Sequence, residues 1–136
     1  MPRRAALFLT AAVFSAAGVA HFVYPDTYAR LIPPGFLRPR ALVAVSGAAE
    51  LLGGIGLLFP RLRRAAGYGL IGLLIAVFPA NIYMAVRSER FTPSAFWTVL
   101  YWLRLPLQPL MILWIWRLAI DPASTIRTSK NASGGG

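Results

Sequence analysis

Four long apolar segments constrain the fold of this chain more than any other feature. They cover residues 5–23, 41–59, 65–86 and 96–116. Each is long enough to cross a hydrocarbon core of about 30 Å as a helix. Only 13% of the residues are charged, against about 25% in a typical soluble domain. The sequence therefore predicts an all-α membrane protein, a four-transmembrane-helix antiparallel bundle over residues 1–118, with a polar tail at 119–136.

The two ends of the sequence allow other interpretations. The basic start, the apolar run and the small residues before His21 are also typical of a signal peptide. We favour a transmembrane helix for this first segment. At the other end, Ser133 to Gly136 resembles an engineered linker. Between the first two segments, Tyr24 to Arg40 is rich in proline and predicts a structured loop on the membrane surface.

The basic residues give the chain a net charge of +10 but do not indicate a nucleic-acid partner. They lie at the ends of the apolar segments, where anionic headgroups and topology selection favour them. One side of the predicted bundle collects Arg3, Arg4, Arg61, Arg63, Arg64, Arg117, Arg127 and Lys130, and the other collects Arg30, Arg38, Arg40, Arg87 and Arg90. This asymmetry predicts a multi-pass protein of the bacterial inner membrane with both termini in the cytoplasm.

Each apolar segment carries one strongly polar residue: His21, Glu50, Asn81 and Arg104 in chain order. Such residues are costly in a bilayer, so they usually face the bundle interior and mark a functional site. Glu50 and Arg104 lie roughly 12–14 Å into their segments at 1.5 Å per residue. The first and third segments end on that same side. Antiparallel threading therefore predicts that all four residues gather in the outer half of the bundle.

Helical faces agree with this prediction. Glu50 shares its face with the small residues Ser46, Gly47, Gly53 and Gly54, which allow close helix packing in membranes. Arg104 shares its face with Trp97, Tyr101, Gln108 and Met111. The matched depth of Glu50 and Arg104 predicts an intramembrane ion pair, because either charge alone would be expensive.

Internal prolines add to the case for a cavity. Pro79, Pro106 and Pro109 should each free a backbone carbonyl and kink their helices beside the polar residues. A structural interpretation remains beside the functional one. The Glu50–Arg104 pair could serve only to fix helix register, and His21 and Asn81 could serve only as hydrogen-bonding residues between helices.

The sequence contains no cysteine, which excludes thiol–disulfide chemistry, thiolate metal sites and covalent haem attachment by this chain. Phosphate-binding loops, dinucleotide-binding motifs and paired-histidine zinc motifs are also missing from the sequence. We therefore predict no catalytic residue, no metal ligand and no covalent cofactor.

Four ordered motifs resemble the DoxX-like family of small bacterial membrane proteins. They are Gly18-Val-Ala-His21-Phe22 with Pro25, Ser46-Gly-Ala-Ala-Glu50-Leu-Leu-Gly53-Gly54, Pro79-Ala-Asn81-Ile-Tyr-Met84, and Arg104-Leu-Pro106-Leu-Gln108. The resemblance implies a four-helix membrane bundle. It implies less about activity, because relatives range from an oxidoreductase subunit linked to quinone to proteins that help assemble receptors.

Three functional hypotheses follow. In the first, the chain is a non-enzymatic subunit or binding module whose pocket holds a small amphipathic ligand such as a quinone or a lipid headgroup. The predicted ligand-binding residues are His21, Glu50, Asn81, Tyr101, Arg104 and Gln108. In the second, it is the membrane subunit of a quinone-linked oxidoreductase. In the third, it is an assembly factor whose polar cluster only stabilises the bundle. The expected partners are the lipid bilayer and either a redox partner protein or further copies of the chain.

Overall fold

The computed structural model describes residues 2–121, and every regular element in that range is helical. The elements are α1 (Arg3–Val23), α2 (Pro25–Arg30), α3 (Pro39–Gly56), α4 (Arg63–Val86), a short 3-10 turn (Ser88–Arg90), α5 (Ala95–Ile115) and a π-helical turn (Trp116–Ile120). The all-α prediction is confirmed for these residues. The predicted linker at Ser133 to Gly136, and the tail from residue 122, lie outside them.

The observed helix ends differ slightly from the prediction. α1, α3 and α4 each begin two residues early, at 3 rather than 5, 39 rather than 41 and 63 rather than 65. The last helix continues as a π-helical turn to Ile120, whereas the predicted segment ends at 116. Leu118 and Ile120 are buried. Burial of these two apolar side chains explains why the helix does not stop where the sequence becomes more polar.

The internal prolines do not break their helices. Pro79 lies within α4, and Pro106 and Pro109 lie within α5. Asp26, at the start of α2, makes an ion pair with Arg40 at the start of α3. This exposed contact joins the two ends of the surface loop between α1 and α3.

Three of the described helices are long and apolar enough to cross a membrane. They are α1, α4 and the continuous segment Ala95–Ile120. α3 is not among them, because its 18 residues include both Arg40 and Glu50. These lengths and compositions support a membrane protein.

The helices pack in the order α1, α3, α4, α5, with α2 lying against α3. A cluster of buried apolar side chains lies at the end of the bundle where α1 and α4 begin and α5 ends. It comprises Ala6, Leu7, Phe14, Leu57, Leu70, Ile115 and Leu118. We call this end the closed half and the opposite end the cavity half.

Two hydrogen bonds join α1 to the end of α5 in the closed half. The Arg3 guanidinium donates to the Leu118 carbonyl at 3.0 Å, and the Trp114 indole N–H donates to the Thr10 hydroxyl at 2.9 Å. They bring the first and last long helices together there, and so complete the packing of the closed half.

Close backbone approach holds α1 against α3. A Cβ atom built on Gly18 would lie 2.8 Å from both the Gly47 carbonyl oxygen and the Leu51 nitrogen. A Cβ on Gly47 would lie 2.7 Å from the His21 Cβ. Neither position can hold a larger residue without moving a helix. Gly47 and Gly54 of the predicted small-residue face therefore pack on α1, whereas Gly53 packs on Leu70 of α4. The contact at Gly47 sets the position of His21.

Candidate functional site

The cavity half contains a cavity of about 130 Å³ among α1, α2, α3, α4 and α5. His21, Glu50, Asn81 and Arg104 all line it. Each comes from a different long helix, and antiparallel threading brings them to one level. Whether they bind a ligand stays a prediction, but the structure does place these four residues around a single space.

His21 and Glu50 form the closest charged contact in this cavity. The His21 Nδ1 lies 3.1 Å from a Glu50 carboxylate oxygen and 2.8 Å from the Ala17 carbonyl oxygen. The two side chains are 14% and 17% exposed. Because a carbonyl can only accept, the Nδ1 proton serves the Ala17 carbonyl, and the contact with Glu50 is primarily ionic when the ring is protonated.

The predicted direct ion pair between Glu50 and Arg104 is wrong. Within residues 2–121, ion pairs shorter than 4.0 Å join Glu50 to His21 and Asp26 to Arg40. Arg104 is exposed at the rim of the cavity, although its positive charge still acts favourably on the Glu50 carboxylate. The tight approach of α1 to α3 at Gly47 makes His21, rather than Arg104, the direct partner.

One oxygen of Glu50 lacks a hydrogen-bond donor within the described residues. This Oε2 atom is buried, and the neighbouring His21 proton is directed to a backbone carbonyl. A buried acceptor without a donor costs about 1–3 kcal/mol. Native proteins carry few such groups, and those that occur often have a functional role or an additional partner. This is the oxygen that lies 3.1 Å from the His21 Nδ1, and Glu50 as a whole lines the cavity.

Asn81 and Gln108 form a polar link between α4 and α5. The Asn81 amide N–H donates to the Gln108 carbonyl oxygen, and the Gln108 amide donates to the Leu74 backbone carbonyl. Asn81 is 9% exposed and Gln108 5%. Asn81 lines the cavity, whereas Gln108 reaches it only through Asn81. These satisfied bonds indicate that Gln108 holds one wall in position.

Tyr28 covers the site and was not identified by sequence analysis. It lies on the short helix α2, lines the cavity, and stacks on His21 with ring centroids 4.1 Å apart and planes inclined by 19°. Its position depends on the path of a surface loop, which no periodic pattern encodes. The stack fixes the plane of the His21 ring beside Glu50.

An apolar groove on α5 adjoins the cavity. It has a volume of about 530 Å³ and is lined by Trp97, Leu100, Tyr101, Leu103, Arg104, Pro106, Leu107 and Leu110. Arg104 lines both spaces. The predicted site residue Tyr101 therefore lies in the groove and not in the cavity, and Trp97 lies beside it. An elongated molecule could contact Arg104 while occupying both.

The remaining walls of the cavity are mostly apolar. They include Leu31, Ile32, Val43, Leu73, Val77 and Met84. Apolar walls with a few convergent polar groups are typical of small-molecule sites. Within residues 2–121, no group of three or more His, Asp or Glu side chains could hold a metal ion. The arrangement is chemically suited to hydrogen bonding with a small polar headgroup.

Comparisons with known proteins identify a family but no activity. No curated protein and no solved structure matches the chain significantly. A family model described as a domain of unknown function, DUF8561, matches residues 10–119. That range contains the four long helices from residue 10 of α1 onward, and every residue that lines the cavity. The chain belongs to this family of domains of unknown function.

Proposed function

We propose that this protein is a four-transmembrane-helix binding module of the DoxX-like type, whose cavity holds the headgroup of a small amphipathic ligand. In this proposal α3 is the fourth membrane-spanning helix. It packs between α1 and α4, which are both long and apolar enough to span. Its 18 residues extend about 27 Å at 1.5 Å per residue. A helix of that length between two spanning helices fits a bilayer once Glu50 faces the interior.

The Glu50 carboxylate in the cavity wall is the observation that carries this proposal, because its Oε2 lies 3.1 Å from the His21 Nδ1 but lacks a hydrogen-bond donor within the described residues. Glu50 can accept a hydrogen bond from a bound molecule, and the Arg104 guanidinium at the rim can donate one. A ligand with one hydroxyl or N–H group and one carbonyl or phosphoryl oxygen satisfies both residues. A purely structural cluster would be expected to satisfy its own buried acceptors.

Cavity size limits the headgroup to about one ring. An engineered cavity of about 150 Å³ in another protein accommodates benzene, and the volume here is about 130 Å³. The adjoining apolar groove would take a hydrocarbon tail that leaves past Arg104. A quinone with a prenyl tail fits these dimensions and hydrogen-bonding groups, as does a lipid with a compact headgroup. When bound, a quinone would supply redox chemistry, and this chain's residues would bind and orient it.

Native mass spectrometry of the protein in mild detergent, followed by analysis of its lipid extract, tests the proposal. We expect one small amphipathic molecule to be retained at near-stoichiometric amounts. A redox-active protein that copurifies with the chain would shift the proposal to an oxidoreductase subunit. Recovery of bulk lipids alone, in the proportions of the membrane, would favour an assembly factor.

The orientation in the membrane is a separate prediction. The eight-to-five excess of basic residues in the sequence predicts that the closed half lies in the cytoplasm and that the cavity half faces outward. Phe36 and Leu62 are 53% and 55% exposed, and they lie in successive helix connections that this prediction puts on opposite sides of the membrane. In intact cells, a membrane-impermeant thiol reagent should label Phe36→Cys, and should label Leu62→Cys only after permeabilisation. Labelling of Leu62→Cys alone in intact cells would reverse the assignment.

A further inference from the structure

A second crevice, far from the cavity, opens at the closed half of the bundle. It has a volume of about 450 Å³ and lies between the start of α1 and the α3–α4 connection. Arg3, Arg4 and Arg63 supply its polar side, while Leu7, Phe8, Leu58 and Pro60 supply its apolar side. Three cations and an apolar surface thus share one space at the predicted edge of the bilayer.

Two of the crevice arginines direct their hydrogen bonds to uncharged backbone groups. Glu50 and Asp26 form their ion pairs with His21 and Arg40, outside this crevice. Arg3 and Arg63 instead donate to the Leu118 and Leu57 carbonyls. The charge of Arg3 acts unfavourably on that of Arg63. Such repulsion is unfavourable unless an anion lies between or beside the two groups.

Two further observations point to an anion. The Arg3 Nε atom is buried and lacks a hydrogen-bond partner in the described residues, so one donor of its guanidinium is unsatisfied. α1 and α4 both begin at the crevice without a side-chain cap and without an acidic residue in the first turn. The partial positive charge of a helix N-terminus favours a bound anion there.

We propose that this crevice binds the phosphate of an anionic phospholipid. Phosphate oxygens match the bidentate geometry of guanidinium groups. The apolar side of the crevice favours a lipid over a free phosphate, because only a lipid has an acyl chain to cover it. Phe8 on this side is 63% exposed and belongs to a candidate membrane span. An acyl chain lying over Phe8 and Leu58 would remain in the hydrocarbon layer. Basic pockets between membrane helices are suited to anionic headgroups.

Lipid titrations monitored by native mass spectrometry test this site. The wild-type protein should bind phosphatidylglycerol at least about tenfold more tightly than phosphatidylcholine, since each arginine near the surface contributes a several-fold preference. Arg3→Gln with Arg63→Gln should remove most of that preference. The matched control, Arg61→Gln with Arg64→Gln, changes the charge equally at exposed residues outside the crevice, and should retain it within about twofold.

Equal losses in the two double variants would mean that the preference reflects net charge alone, and would overturn the proposal. Inorganic phosphate at millimolar concentration should not displace the lipid, and full displacement would identify a soluble phosphate site instead. If the Arg3→Gln, Arg63→Gln double variant unfolds, two single substitutions test the same site. Arg4 and Arg64 are the exposed second residues of α1 and α4. Arg4→Gln should weaken lipid binding more than Arg64→Gln, and the reverse order would contradict the assignment.

Discussion

Replacing His21 with alanine is expected to lower the free energy of unfolding by about 3–5 kcal/mol, the cost of breaking one side of a buried ion pair. His21 is the direct partner of Glu50, at 3.1 Å. Without it, the Glu50 carboxylate keeps only the more distant charge of Arg104. Glu50→Ala should cost less, because the His21 ring that remains keeps its hydrogen bond to the Ala17 carbonyl. A carboxylate left without its partner is more costly, because neutralising it near pH 7 takes about 3–4 kcal/mol.

A double-mutant cycle on detergent-solubilised protein measures this coupling. The His21→Ala, Glu50→Ala double variant should be more stable than the sum of the single effects predicts, by about 0.5–3 kcal/mol. The cycle between Glu50 and Arg104 is the control, and it should give a smaller coupling because these two side chains are not in direct contact. Additive effects for His21 and Glu50, together with strong coupling between Glu50 and Arg104, would contradict the His21–Glu50 pairing. They would instead support the Glu50–Arg104 ion pair that the sequence predicts.

Replacing Gly18 with alanine is expected to destabilise the protein by about 1–3 kcal/mol, as overpacking does in well-packed cores. The added Cβ would lie 2.8 Å from two backbone atoms of α3, the Gly47 oxygen and the Leu51 nitrogen. Backbone atoms within a helix cannot turn aside as a flexible side chain can. α1 and α3 would have to separate, which would also move His21 away from Glu50.

Gly69 and Gly72 provide matched controls for this substitution. Both lie in α4, and a Cβ at either position would have no neighbour within 4 Å. Gly69→Ala and Gly72→Ala should be neutral or raise stability by up to about 1 kcal/mol, because alanine favours the helix. Thermal melting of the three variants in one detergent compares them. Equal melting temperatures for Gly18→Ala and Gly69→Ala would show that α1 and α3 do not pack as described.

The level of the polar residues could be predicted from the sequence, but their pairing could not. Depth depends only on the rise per residue and on the alternation of helix direction, so His21, Glu50, Asn81 and Arg104 were correctly placed around one space. Pairing depends on how closely two helices approach. The contact between Gly18 and Gly47 moves His21 beside Glu50, and the glycine pattern indicates close packing without identifying which helix is the partner.

Other features depend on details that a one-dimensional pattern does not contain. Tyr28 reaches His21 because the loop after α1 folds back over the bundle. Gln108 and Tyr101 share one predicted face of α5, yet Gln108 turns toward Leu74 of α4 while Tyr101 lines the outer groove. α3 differs from the other three long helices because its polar residues lower its mean hydropathy. The argument that α3 spans the membrane therefore depends on its packing between α1 and α4 more than on its own composition.

Filling the cavity while leaving its polar residues in place tests the central claim most directly. Ala80 lines the cavity on α4, and Ala76 lies one turn away and is exposed. In native mass spectrometry, the Ala80→Leu variant should retain at least about tenfold less of the bound molecule than the wild type. Steric exclusion of a headgroup that costs about 1.4 kcal/mol or more produces a loss of this size. Ala76→Leu should retain it as the wild type does. Equal retention by both variants, with melting temperatures close to wild type, would contradict binding in this cavity.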